Sequence, residues 1–210
     1  MKGEREGVSA MAHETLAPWA DRVPDRGPMT ADELLAMGDS GKGCELVEGT
    51  LVRVAPTGFL HGMSVSRLNA AVTLHAAREG SGVVVGAETG FVLSRPGAPD
   101  TVLAPDVAYV RSERIEGLAR VDLQKFLRLA PDLVAEVASP DQYRPEMNAK
   151  ARVYLDAGVR LVWIVWPSAR TVDVWRPGGD VPAETLSVGD ALDGLDVLPG
   201  FSYPLKELFA

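Results

Sequence analysis

Two acidic residues stand beside apolar stretches that are typical of buried strands. Asp106 follows Pro105 and begins the apolar run 107–110, and Glu136 lies inside the apolar stretch 133–138. Burying an unpaired carboxylate is costly, so Glu136 requires a partner. If the two strands are neighbours, both carboxylates converge at one sheet edge, because alternate residues of a strand share a face. Two close carboxylates repel each other unless one is protonated or a divalent cation with oxygen ligands lies between them.

A third carboxylate extends this hypothesis. Glu45 lies in a short apolar strand after a glycine turn and is a further candidate oxygen donor. Each acid also has a structural interpretation: Asp106 as a residue at the start of a strand, and Glu45 as a solvent-facing residue of a hairpin edge. Glu136 is the hardest to explain in this way, because both of its sequence neighbours are apolar.

The elements that must position these acids follow from apolar periodicity and from turn residues. The predicted elements are a helix with a Thr30–Glu33 capping box (30–37), a hairpin (45–47 and 51–54), a helix (63–78), one long bent strand (83–85 with 90–93), a strand interrupted by Pro105 (102–110), a strand (133–138), a helix (145–157) and two strands (161–166 and 171–176). This order predicts an α/β domain with a mixed sheet flanked by helices.

Composition limits the classes of protein. The 210 residues predict one domain at 29–210, preceded by a loosely packed arm at 1–28. No apolar run reaches the roughly 18 residues of a membrane helix, so we expect no membrane partner. The single cysteine, Cys44, excludes an intrachain disulfide and favours a cytoplasmic location. The net charge of −8 argues against tight non-specific binding to nucleic acid but leaves room for a local basic groove.

Several sequence segments together resemble a known family. Pro105-Asp106, followed by Glu136-Val137-Ala138, resembles the PD-(D/E)XK signature of restriction-endonuclease-like nucleases. The surrounding segments, in the same order, resemble the Uma-two family of bacterial endonucleases over about residues 29–210: CELVEG at 44–49, ETGFVL at 88–93, APDVAYV at 104–110, APDLVAEVASP at 130–140 and KARVYLDAGVRLVWIVWP at 150–167.

The resemblance implies a restriction-endonuclease-like αβββαβ core with extra N-terminal strands. It also implies a Mg²⁺- or Mn²⁺-dependent phosphodiesterase site acting on nucleic acid, with DNA the more expected substrate. Asp106 and Glu136 match the two signature acids as catalytic and metal-binding residues. The Val137 carbonyl is a further metal ligand by this resemblance, and Glu45 matches an N-terminal glutamate of the family.

The chain departs from the wider signature at one position. Ala138 stands where the signature has a lysine, and the resemblance gives that role to Lys150 of the following helix. Lys150 and Tyr154 are four residues apart, so they share a helix face. The alternative for Lys150 is a surface ion pair with Glu146, which is also four residues away. His61, just before a predicted helix, is the remaining candidate: the resemblance implies that His61 and Tyr154 line the substrate site.

Two further interpretations remain open at this stage. The chain is either an active nuclease or a catalytically inactive member of the same fold that binds nucleic acid or a protein. A structural or toxin-partner role for the acidic surface is a second alternative.

Cys44 and Trp166 stand where the family usually has tyrosine and aspartate. A homodimer is our expectation for the assembly.

Overall fold

The computed structural model describes residues 18–19, 21–23 and 27–210. The helices within these residues are α1 (Ala31–Ala36), α2 (Phe59–Glu79), α3 (Ser112–Ile115), α4 (Arg144–Asp156) and α5 (Leu205–Leu208), with 3-10 turns at Gly38–Gly41 and Asp122–Gln124. The strands are β1 (Asp21–Arg22), β2 (Cys44–Val47), β3 (Thr50–Arg53), β4 (Gly82–Gly86), β5 (Phe91–Val92), β6 (Val102–Leu103), β7 (Val107–Arg111), β8 (Leu133–Val137), β9 (Leu161–Trp166), β10 (Thr171–Trp175), β11 (Glu184–Ser187), β12 (Ala191–Asp193) and β13 (Ser202–Pro204).

A six-stranded sheet forms the centre of the described structure. Its strand order is β11-β10-β9-β8-β7-β4. All neighbours are antiparallel except β8 and β9, which are parallel and are joined by α4. Parallel neighbours need such a crossover, and strands covered on both faces are apolar throughout, as β9 is. The series α2, β4, β7, β8, α4 and β9 is the αβββαβ core that the resemblance implies.

Side chains alternate between the two faces of this sheet. Val134 and Ile164 pack with Tyr154 of α4 on one face, whereas Leu133 and Trp163 pack with α2 on the other. Glu136 has the parity of Val134, so it points to the α4 face.

Within the described residues, no helix is long and apolar enough to cross a membrane.

A second, five-stranded sheet carries the extra N-terminal strands, in the order β1-β3-β2-β6-β5. The hairpin β2–β3 turns through Glu48 and Gly49, both with positive φ, which suits a tight two-residue turn. The predicted capping box of α1 is present: the Glu33 N–H donates to Thr30 Oγ1 at 3.2 Å, and the Thr30 N–H donates to Glu33 Oε2 at 2.7 Å.

The interruption at Pro105 connects the two sheets. The predicted strand 102–110 is divided into β6, which pairs with β2, and β7, which pairs with β4 and β8. Proline has no N–H to donate to a strand ladder, so a change of sheet at this point is favoured. Because β6 leads directly into β7, the strand that carries Glu45 is held next to the beginning of β7.

The prediction of one long bent strand from 83–85 and 90–93 is wrong. The first part is β4 of the six-stranded sheet and the second is β5 of the five-stranded sheet. Between them Glu88 has φ of 70°, a turn conformation. Gly90 is packed so closely that an added Cβ would lie 2.5 Å from the Phe126 ring. The chain must therefore turn sharply here, which the apolar pattern alone did not reveal.

The predicted arm at 1–28 lies mostly outside the described residues. Of its described part, Trp19 is buried against the core, and Asp21–Arg22 pairs with β3.

Candidate active site

Asp106 lies at the start of β7, directly beside the end of β8. These strands pair with Val107 opposite Ala135, so the register continued by one residue sets Asp106 opposite Glu136. Asp106 Oδ2 accepts a hydrogen bond from the Val137 N–H at 2.8 Å. The two strands are therefore neighbours, which the hypothesis of converging carboxylates required, and the side chain of Asp106 is held beside the end of β8.

Glu136 is buried and has two partners on α4. Its Oε1 lies 3.0 Å from Lys150 Nζ and accepts a hydrogen bond from the Tyr154 hydroxyl at 2.5 Å. Lys150 and Tyr154 are one helical turn apart, so both reach the same carboxylate oxygen. The alternative of a Glu146–Lys150 surface pair is wrong, because Lys150 is buried and the Glu146 carboxylate instead accepts from the Tyr143 N–H that begins α4.

Glu45 approaches the same lysine from the five-stranded sheet. Its Oε1 lies 3.5 Å from Lys150 Nζ and accepts from the Ala104 N–H at 2.9 Å. Its Oε2 accepts from Trp19 Nε1 at 3.4 Å. Both oxygens of Glu45 therefore already have donors, and the residue joins the two sheets at the site.

The charges of this cluster perturb one another. Burial raises the pKa of Glu136 to about 7; the Lys150 ammonium opposes that rise, and the Asp106 and Glu45 carboxylates add to it. Burial lowers the pKa of Lys150, but the nearby carboxylates, Glu136 foremost, outweigh burial and raise it above its usual value. Burial and the same carboxylates also raise the pKa of the Tyr154 phenol. Lys150 is thus a permanent cation among acids that compete for it.

His61, near the start of α2, completes the group. Its Nε2 lies 3.2 Å from Asp106 Oδ2, and the ring is almost fully buried. Its Nδ1 is buried without a hydrogen-bond partner among the described residues. The structure therefore places every predicted site residue, His61 and Tyr154 included, in one continuous cluster.

The donor set indicates which metal coordination fits. Among the described residues, no three His, Cys, Asp or Glu side chains form a ready-made metal-binding group. However, the hydrogen bonds described above use Oδ2 of Asp106 and Oε1 of Glu136, which leaves Oδ1 and Oε2 without a hydrogen bond to the described part of the chain. Mg²⁺ is commonly held by one or two carboxylates, with water and substrate phosphate completing the coordination. The residues fit a site of that kind.

The raised pKa of Glu136 predicts a pH-dependent stability in metal-free solution. Between pH 4.5, the ordinary pKa of a glutamate, and the folded pKa of about 7, Glu136 of the folded protein retains a proton that the unfolded chain has released. Relative to Glu136→Gln, the free energy of unfolding should therefore decrease by about 3 kcal/mol as pH rises through that window and then level off. Thermal melts of both proteins in the presence of a chelator, from pH 4 to 8, measure the difference. If the melting temperatures of the two proteins changed in parallel with pH, the raised pKa of Glu136 would be contradicted.

Two contacts of the site were missed by the sequence reasoning. Trp19 falls in the part of the chain interpreted as an arm, and the Ala104 N–H belongs to the backbone, which carries no signal of its own. The sequence signal for Trp19 is a large aromatic residue within the short apolar run 16–20 of an otherwise polar segment.

The fold and site define a class: a restriction-endonuclease-like α/β protein with acids and a lysine at one sheet edge. The chain matches the model of the Uma2 family, described as "Putative restriction endonuclease", over residues 31–206, and it therefore belongs to that family. A similar crystal structure is that of a "putative nuclease belonging to DUF820" from Anabaena variabilis ATCC 29413. The two chains are 20% identical with a TM-score of 0.70, and the match covers 87% of this chain and 98% of the other. No curated protein matches the chain.

Proposed function

We propose that this protein is a metal-dependent endonuclease that hydrolyses phosphodiester bonds in nucleic acid, with DNA as the preferred substrate. The observation that carries the proposal is the buried contact of Lys150 with Glu136, directly beside Asp106. A buried lysine shared by two carboxylates is costly to maintain for stability alone. The same arrangement is useful where negative charge must be stabilised during a reaction.

The residues divide into two roles in this proposal. Asp106, Glu136 and the Val137 carbonyl would hold Mg²⁺ or Mn²⁺ at the end of β8. Asp106 Oδ1 and Glu136 Oε2, which make no hydrogen bond to the described residues, would be available as ligands. When bound, the ion supplies Lewis-acid polarisation of the phosphate and a lowered pKa of water. Glu45 already has donors on both oxygens, so we give it the role of holding Lys150 in place.

Lys150 and Tyr154 act on charge and orientation. The Lys150 ammonium stabilises the negative charge that develops on the phosphate oxygens. It takes the role of the signature lysine, whose position in the sequence is occupied by Ala138. The Tyr154 hydroxyl fixes Glu136 Oε1, so the other oxygen of that carboxylate keeps a constant direction. His61 holds Asp106 through Nε2 and lines the substrate side of the site.

The test of the proposal is cleavage of plasmid and of single-stranded DNA and RNA with Mg²⁺ or Mn²⁺. We expect cutting that stops when a chelator is added. Glu136→Gln should cut none of these substrates and should bind Mn²⁺ more weakly in a calorimetric titration. A matched control is Glu184→Gln. Glu184 belongs to the edge strand β11, is half exposed and pairs with Arg176, so the substitution removes a carboxylate outside the site. Absence of cutting by folded wild type, or an unchanged Mn²⁺ affinity of Glu136→Gln, would refute the proposal and favour a binding role.

A further inference from the structure

Another buried carboxylate, Asp173, lies on the α4 face of the sheet, outside the proposed catalytic cluster of Asp106, Glu136, Lys150 and Glu45. Asp173 of β10 is fully buried and accepts from Trp166 Nε1 at 2.7 Å and from the Thr185 hydroxyl at 2.6 Å. Arg144, the first residue of α4, forms an ion pair with the same Asp173 oxygen that Trp166 binds. Its guanidinium carbon lies 4.7 Å from the centre of the Trp166 ring.

This network holds the Arg144 guanidinium in a fixed place while leaving it accessible. The side chain of Arg144 is 50% exposed, in contrast to the buried Asp173 and Trp166 beneath it. Its ion pair uses Nη1, and its Nε and Nη2 donors make no hydrogen bond within the described part of the chain. A planar guanidinium with free donors is suited to binding a phosphate oxygen, and its stacking on the indole limits the freedom lost on binding.

The register of β8 and β9 places Arg144 beside the proposed catalytic cluster. Strands β8 and β9 are parallel, with Glu136 opposite Ile164 and Val137 opposite Val165. The Ala138 N–H donates to the Val165 carbonyl at 2.8 Å, which extends the pairing towards Trp166. Trp166 is therefore two residues along and one strand across from Glu136, so their Cα atoms are roughly 8 Å apart on the same sheet face.

We propose that Arg144 is a substrate-binding residue that contacts a backbone phosphate next to the one being cleaved, and that Asp173 and Trp166 position it. This inference rests on the proposed nuclease function and adds the path of the nucleic-acid strand, across the ends of β8 and β9. Lys150 is buried and paired with carboxylates, so it does not supply an exposed cation for such a phosphate. In a protein of net charge −8, a fixed local cation is what this path requires.

The experiment separates phosphate binding from a purely structural role of the ion pair. Asp173→Asn is compared with the double variant Arg144→Gln/Asp173→Asn. In both proteins asparagine replaces the buried carboxylate, so no unpaired charge is left in the core, and the two proteins differ only in the guanidinium of Arg144. Binding of a fluorescent DNA strand is measured by anisotropy at several salt concentrations in the presence of a chelator. We expect roughly tenfold weaker binding by the double variant and a salt slope smaller by about one. In cleavage, KM should rise while kcat stays close to that of Asp173→Asn.

Arg152→Gln is the matched control. Arg152 is on the same helix, also lies over a tryptophan, with its guanidinium carbon 5.8 Å from the Trp175 ring centre, and donates to the Asp180 carbonyl. It lies over Trp175, which pairs with Val162 at the level of Val134, so it is set back from the ends of β8 and β9 and its replacement should leave DNA binding unchanged. If the asparagine variants do not fold, Arg144→Lys takes their place: it keeps the charge but loses the planar fork. We expect weaker binding with an unchanged salt slope for that variant.

The outcomes distinguish this inference from the proposed function. Equal affinity and salt slope of Asp173→Asn and the double variant, an equal loss in Arg152→Gln, or an unchanged affinity of Arg144→Lys would overturn the role of Arg144 while leaving the nuclease proposal intact. A folded wild type that neither binds nor cuts nucleic acid would overturn both.

Discussion

Replacing Lys150 by methionine is expected to lower the rate of DNA cleavage by roughly 10²–10³-fold without loss of Mn²⁺ binding. Methionine retains a long apolar side chain but removes the cation that lies 3.0 Å from Glu136 and 3.5 Å from Glu45. The carboxylates then have no internal counter-charge, so a divalent ion becomes their remaining source of positive charge. Mn²⁺ should therefore bind the variant at least as tightly as the wild type and raise its melting temperature by more.

The comparison requires two controls. Lys150→Arg keeps the charge and should retain part of the activity. Lys42→Met removes an exposed lysine whose ion-pair partner within the described residues is Asp39, at 2.9 Å, and it should change neither activity nor melting. In the absence of metal, Lys150→Met should be less stable than wild type by about 3–5 kcal/mol, because a buried ion pair loses one partner. Weaker Mn²⁺ binding by Lys150→Met would contradict the division of roles, as would cleavage at the wild-type rate.

Asp106→Asn is expected to abolish cleavage and to weaken Mn²⁺ binding by roughly tenfold or more. The substitution keeps the size of the side chain, and its amide oxygen can still accept from the Val137 N–H that Asp106 Oδ2 binds at 2.8 Å. The junction of β7 and β8 should thus survive, and with it the fold. What is lost is a charge that the proposed metal site needs, since an amide oxygen is a weaker ligand for a hard cation than a carboxylate.

Calorimetric titration with Mn²⁺, together with the plasmid assay, measures both effects of Asp106→Asn. Asp39→Asn is its matched control, because the Asp39 side chain is 94% exposed. Circular dichroism and thermal melting establish that both variants are folded. An Asp106→Asn protein that still cuts DNA at a substantial fraction of the wild-type rate would exclude Asp106 from the catalytic group.

Local features of the sequence were sufficient for several parts of the site. The apolar neighbours of Glu136 predicted a buried carboxylate with a partner, and helical periodicity set Lys150 and Tyr154 on one face, where both reach Glu136. Pro105 predicted a break before Asp106, and the break is present. These predictions succeed because the period of a strand or helix, and the missing N–H of proline, act within a few residues.

Other parts depend on which segments meet. The apolar runs at β4 and β5 looked continuous, but a turn at Glu88 sends them to different sheets. Likewise, nothing local to Asp173 indicates that Arg144, on another element, is its ion-pair partner. An apolar pattern specifies that a segment is buried, but it does not specify the surface against which it is buried.

The sequence by itself determined the order of most helices and strands, the burial of Glu136 and the shared helix face of Lys150 and Tyr154. Only the tertiary structure decided that Lys150 is shared between Glu136 and Glu45. That contact depends on the passage of the chain from β6 to β7, which sets the five-stranded sheet against the end of β8 that carries Glu136. The physical reason is that a buried charge is stabilised by whichever groups the folded chain brings within a few ångströms, and one of the two carboxylates on Lys150 comes from a residue 105 positions away in the sequence.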